Sequence, residues 1–257
     1  MHDRGYLKTV RELAQAGGGQ LDPDTVESEG SWAAATAGAG CLLDAVDMTI
    51  DGRAARAFCA VRPPGHHALH NRAMGFCLLG NVALAAHYAR SRHRLERILI
   101  VDWDVHHGNG TQALVEHEPD IHFISMHQWP WYPGTGAAAD RGPHQNVWNV
   151  PKRAGLPPQE YVDALLHAVD DATRGFVPDL VLISAGFDSL KGDPLGGFTL
   201  EVEHVFRLTT ELVSRAKGWC GGRVVSALEG GYAPERLAQA SVAHMRGLAE
   251  IATFGHD

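Results

Sequence analysis

Two carboxylates and an imidazole stand at alternate positions in Asp102-Trp103-Asp104-Val105-His106-His107-Gly108-Asn109-Gly110. On an extended chain, residues two apart point the same way, so Asp102, Asp104 and His106 can all face one rim. Asp104 offers a hard oxygen and His106 an imidazole nitrogen, and both suit zinc. A third ligand must come from elsewhere. Asp188 is the best candidate, because it follows an apolar run within the turn Gly186-Phe187-Asp188. Three protein ligands with a fourth position left to water is the pattern of a catalytic zinc, not a structural one. An isolated Asp-x-His is more often a capped turn. The longer string, two Asp, two His and two Gly after Ile98-Leu99-Ile100-Val101, weighs against that bland reading.

Two further groups could move protons or steady charge. His66 and His67 end Pro63-Pro64-Gly65-His66-His67. Hydrolysis at a metal needs a base for the water and an acid for the leaving amine, and histidine suits both near neutral pH. Vicinal histidines on a Gly-Pro loop can also be plain surface residues. Tyr232 ends Glu229-Gly230-Gly231-Tyr232, where two glycines permit a sharp bend. Its hydroxyl could steady an oxyanion, and it could equally be a Tyr packed at a strand end.

These segments need a scaffold that brings them to one place. Short continuous apolar runs at 57–61, 97–102, 121–126, 147–150, 180–184 and 223–228 read as buried strands. Helical patterns at 6–16, 32–46, 81–89, 161–173, 201–216 and 234–251 alternate with them. Residues 22–30 read as a loop, with Ser31 as the N-cap of the helix that follows. Gly38 and Gly40 within that helix predict close packing against a neighbour. Alternating strands and helices predict an α/β fold with a mostly parallel sheet covered on both faces. In such sheets ligands gather at the carboxyl ends of strands. His66-His67, Asp102–Gly110, Ser125–Gly136, Gly186–Asp188 and Glu229–Tyr232 each follow a strand.

Composition narrows the function class. The 257 residues are enough for one buried domain, are 45% hydrophobic and carry a net charge of −8. That balance argues against nucleic acid as a direct partner, because phosphate binding needs surplus Lys and Arg. Sixteen histidines, several beside Asp and Gly, fit a metal site. None of the four cysteines forms a Cys-x-x-Cys pair, so a structural zinc knuckle is not expected. Cys59 and Cys77 read as core residues, and a reducing cytoplasm fits best. No apolar run reaches the roughly 20 residues of a membrane span. The first residues lack the apolar core of a signal peptide.

The strings Arg62-Pro63-Pro64-Gly65-His66-His67-Ala68, Gly75-Phe76-Cys77, Val101 to Thr111, Tyr132-Pro133-Gly134-Thr135-Gly136, Ser184 to Asp188 and Leu228 to Tyr232 together resemble the zinc-dependent histone deacetylase family. That family includes bacterial acetylpolyamine amidohydrolases and acetoin-utilization proteins. Trp103, Asn109 and Glu229 resemble its class II branch. The similarity runs in order from about residue 2 to residue 250. It implies an arginase/deacetylase-like three-layer sandwich formed by a single catalytic domain over 1–257. It implies Zn2+, or Fe2+ in its place, on Asp104, His106 and Asp188. Asp102 would orient His66, Asn109 would contact His67, His67 would serve as base and then acid, and Tyr232 would complete the oxyanion site. Gly75, Phe76 and Tyr132 would line a narrow tunnel for an aliphatic chain. A structural K+ would lie near Asp102, Asp104, His106, Ser125 and Met126. The expected substrates are an acetylated lysine side chain, an acetylpolyamine or another small amide, with no membrane partner.

The groups beside the two histidines would set their charge. A carboxylate on an imidazole N–H favours the charged ring, and a neutral amide does so much less. His66 should therefore lean toward imidazolium and His67 should stay a free base. Asp24 is a weaker rim candidate that could accept hydrogen bonds from a substrate backbone.

The chain also departs from the pattern. His2-Asp3-Arg4-Gly5-Tyr6-Leu7 matches a string that lies well inside family members, so the usual first strand is expected to be missing. Two other functions compete. A catalytically impaired module could hold acylated amines without turnover. A two-manganese ureohydrolase needs a second Asp two residues after Asp188, where Leu190 stands instead.

Overall fold

Apolar runs buried on both faces have one stable home, a parallel sheet between helical layers. The computed structural model describes residues 1–251 and has that form. In chain order the elements are α1 (Arg4–Gln15), β1 (Gly18–Asp22), β2 (Thr25–Ser28), α2 (Ser31–Ile50), β3 (Arg56–Cys59), α3 (Asn81–His93), β4 (Ile98–Asp102) and α4 (Asn109–Val115). Then come β5 (Ile121–Gln128), β6 (Val147–Lys152), α5 (Pro158–Ala172), β7 (Leu180–Ala185), α6 (Val202–Cys220), β8 (Val224–Leu228) and α7 (Pro234–Leu248). Six strands form one sheet in the order β3-β8-β7-β4-β5-β6, and every pairing is parallel.

Alternation along each strand sends side chains to two separate cores. Leu99, Val101, Ile124, Met126, Val181 and Ile183 pack with α5 and α6. Ile98, Ile100, Ile121, Phe123, Leu180 and Leu182 pack with α2 and α3. The register aligns the strand ends. Asp102 pairs with Ser125 on one side and Ser184 on the other, and Ser184 pairs with Ala227. Loops leaving these strands therefore start at one level, which sets up the site.

Four sequence expectations are corrected. Residues 22–30 are not a plain loop: β1 and β2 form an antiparallel hairpin. Its apolar signal is inverted, since Glu27 is buried while Val26 is 71% exposed. Ser31 is the first residue of α2, not its cap. Gly30 is the N-cap, and the Ser31 hydroxyl accepts the Ser28 N–H at 2.8 Å. Gly38 does face Val61, but Gly40 has open space beside it. Finally, α2 is long and apolar enough to cross a membrane by length and composition, contrary to the reading of the apolar runs. Its Leu42, Ala45 and Val46 pack into the layer beneath the sheet. The hairpin, α1 and the 73–79 segment build a third, smaller core around Tyr6, Val10, Leu78 and Leu79.

Candidate active site

β4 carries the chain to Asp102; just beyond it Asp104 and His106 turn toward the site while Trp103 and Val105 pack into the core. Asp104, His106 and Asp188 are buried, and one ligand atom from each lies within 4.8 Å of the others. His106 Nδ1 is 3.0 Å from Asp104 Oδ1 and 3.3 Å from Asp188 Oδ2. The other oxygens are held by backbone donors. Val105 N–H donates to Asp188 Oδ1 at 2.8 Å, and Gly230 N–H donates to Asp104 Oδ2 at 2.9 Å. Asp188 Oδ2 is buried and accepts no hydrogen bond among the described residues. Burial and the neighbouring Asp104 charge push the Asp188 carboxyl up to about 7. Two buried carboxylates this close repel, and a divalent cation is the partner that would relieve them. The donor set, two carboxylates and one imidazole with an orphan oxygen, fits zinc or iron.

Glycine is required where the loops cross. A Cβ on Gly230 would lie 2.2 Å from Asp188 Oδ2 and 2.6 Å from Asp104 Oδ2. We expect Gly230→Ala to spread the two carboxylates and weaken metal binding roughly 10–100-fold, the size of effect seen when groups behind metal ligands are disturbed. Titration against a competing chelator reads this out, and a parent-like affinity would count against the ligand assignment.

The two histidines take opposite characters. His66 Nδ1–H donates to Asp102 Oδ2 at 3.0 Å. Burial opposes its charge, but Asp104 and Asp102 outweigh that and hold its pKa well above the usual value. His67 Nδ1–H donates to Asn109 Oδ1 at 2.7 Å, which leaves Nε2 as the free base. Burial, followed by the His66 charge, holds His67 well below the usual histidine range. The rings are 4.0 Å apart. Glu229 holds this loop from below. Its Oε2 accepts Gly65 N–H at 2.7 Å and His66 N–H at 3.1 Å, and its Oε1 accepts the Ser184 hydroxyl.

A cavity of about 250 Å³ opens above these groups, lined by Asp24, His67, Gly75, Phe76, His106, Trp131, Tyr132, Leu195 and Tyr232. Tyr132 meets the His67 ring edge-on at 5.2 Å, and Phe76 meets Tyr232 at 5.9 Å. Phe76 has φ +65°, a strained conformation for a bulky residue. The hairpin turn holds it there. Asp24 Oδ1 accepts Gly75 N–H at 2.9 Å, and Thr25 Oγ accepts Phe76 N–H at 3.1 Å. Asp24 also accepts the Thr25 hydroxyl and bonds Tyr132. Burial alone would raise its pKa, but the bonds from Thr25, Tyr132 and Gly75 hold it below the usual value. Asp24 thus ties the mouth together. Burial, reinforced by the Asp104 and Asp188 charges, pushes the Tyr232 phenol far above its usual value, so it stays a hydrogen donor.

Ser125 and Met126 do not reach the cavity. Ser125 sits beside Asp102 in register and bonds His127, and Met126 lies in the core under α5. His107 turns away from the cavity to Thr135 and Gln112. Sequence reasoning passed over Trp131, Leu195 and Asp193, and it gave Glu229 no role. Only Glu229 carried a signal, as the charged residue of the Glu-Gly-Gly-Tyr string.

The chain resembles an uncharacterized protein, slr0245, of Synechocystis sp., at 46% identity over 96% of this chain and 79% of that protein. It is 38% identical to the histone deacetylase-like amidohydrolase of Pseudomonas aeruginosa, over 90% of this chain and 62% of that one. The crystal structure of the HDA15 HD domain matches with TM-score 0.90 and 37% identity, over 96% of this chain and 73% of that chain. The model of the histone deacetylase domain matches residues 1–248. With nearly the whole described chain matched and the fold shared, this protein belongs to the histone deacetylase domain family.

Proposed function

We propose that the chain hydrolyses an N-acetyl or related acyl amide of lysine or another amine, releasing acetate and the free amine. Zn2+, or Fe2+ in its place, would be held by Asp104, His106 and Asp188. Once bound, that ion polarises the acyl carbonyl and lowers the pKa of water, and the remaining work falls to the protein's own groups. His67 Nε2 takes the proton from the attacking water. Its low pKa keeps it unprotonated for that step. Charged His66 steadies the negative charge that builds in the pocket. The Tyr232 hydroxyl donates to the oxygen that becomes an oxyanion. His67 then returns the proton to the departing nitrogen. Tyr132 and Phe76 line the apolar passage that takes the chain of the substrate. A K+ near Asp102, Asp104, His106, Ser125 and Met126 would brace the β4 end, and residues 1–257 would act as one catalytic domain.

The observation that carries this reading is an apolar cavity lined by free-base His67 and by His106, the most accessible member of a buried Asp104-His106-Asp188 group. The test is acetate release by zinc-loaded protein from acetylated lysine peptides, acetylpolyamines and small amides. Release from none of them, with metal bound at one equivalent, would favour a module that only binds acylated amines.

The pH profile adds a signed prediction. Activity requires neutral His67, so kcat/KM falls as pH drops through its pKa. Asn109→Asp places a carboxylate on Nδ1, favours the imidazolium and raises that pKa. The acid limb should move to higher pH, and an unmoved limb would remove Asn109 from this role.

A further inference from the structure

Asp193 is 6% exposed and lies outside the metal group. Its carboxylate accepts two backbone donors: Leu195 N–H on Oδ1 at 2.9 Å and Tyr232 N–H on Oδ2 at 2.7 Å. The Leu195 carbonyl in turn accepts the Trp131 indole N–H at 2.9 Å. One buried carboxylate therefore joins the backbone of Tyr232 to Leu195 and Trp131 at the cavity mouth. Hydrogen bonds to an ionised acceptor are roughly twice as strong as neutral ones, so this is a stiff link. Tyr232 needs such a link. It follows Gly230 and Gly231, and Gly231 has φ +138°, so the backbone leading into it is intrinsically permissive.

We propose that Asp193 is the positioning residue for Tyr232, setting where the phenol hydroxyl meets the reacting oxygen and coupling that placement to the mouth. This rests on the reading of Tyr232 as the oxyanion donor. Displacing a reacting group by about 1 Å can lower turnover on the order of 10²-fold. Asp193→Asn keeps the shape but replaces one acceptor oxygen with an NH2 donor group, so one of the two backbone N–H groups must face a donor.

The test is a double-mutant cycle on the metal-loaded protein, read as kcat and KM separately. Asp193→Asn is expected to lower kcat by roughly 10–100-fold with metal content intact and KM changed by less than about threefold. In the Tyr232→Phe background the same substitution should lower kcat by less than about threefold, because the hydroxyl it places is gone. Equal losses in both backgrounds, or a parent-like Asp193→Asn, overturn the proposal while leaving Tyr232 in place. A fully active Tyr232→Phe overturns both readings. Asp193→Glu keeps both acceptors one methylene further out and should also lose kcat only while Tyr232 is present. This arm decides the question if the Asn variant fails to fold.

Discussion

Asp188→Asn is expected to keep its fold and lose its metal. The amide has the carboxylate's shape and can still accept the Val105 N–H that now bonds Oδ1. What disappears is the charge on Oδ2, the buried oxygen without a hydrogen bond among the described residues. Metal binding should fall below one equivalent. Turnover should drop by roughly 10³-fold or more, since the ion supplies several kcal/mol of transition-state stabilisation. The metal-free protein should respond in the opposite direction. Burial and the Asp104 charge disfavour an ionised Asp188, pushing its pKa up to about 7. A neutral amide escapes that penalty, so thermal unfolding in chelator should occur at the same temperature or higher. Elemental analysis, initial rates and unfolding in chelator check the three parts. A variant that binds metal and turns over like the parent would remove Asp188 from the ligand set.

Tyr232→Phe should lower kcat by roughly 10²–10³-fold, the range for loss of one oxyanion donor. The phenol's pKa is raised by burial and by the Asp104 and Asp188 charges, so the lost group is a protonated donor throughout the working pH range. Phe keeps the edge-on packing against Phe76, and KM and metal content should change little. That split separates a transition-state contact from a structural one. A Phe variant with the parent's kcat would exclude the role.

The two substitutions probe the part of the site that was easiest to read in the chain. Asp102, Asp104 and His106 sit on one local stretch, and Asp188, Tyr232 and His66-His67 each follow an apolar strand or its loop. Strand periodicity and the rule that ligands collect at strand carboxyl ends were enough to group them. The direction of the contrast between His66 and His67 was anticipated from the partners that the resemblance implies, a carboxylate for one ring and an amide for the other. Burial and the His66 charge, which lower His67, came only with the folded chain.

The hairpin was not legible. Its second strand buries Glu27 and exposes Val26, so the usual alternation points the wrong way. Helix α4 was hidden too, since Asn109–Val115 is a single short segment continuous with the metal loop. Asp24, read as a rim group, does line the cavity; its bonds to Gly75 and Thr25 were not legible.

By itself, the order of residues determined the layered α/β architecture, the chemical types at the strand ends and the family, because each is encoded in short-range pattern. Only the folded chain decided how the loops lock to one another. Glu229 reaches Gly65 across 164 positions, Asp193 reaches Tyr232 across 39, and Asp24 reaches Gly75 across 51. Such contacts have no period and no fixed spacing. They arise where separate strand ends are brought level by the sheet, and nothing local in the chain records which buried carboxylate will meet which backbone N–H.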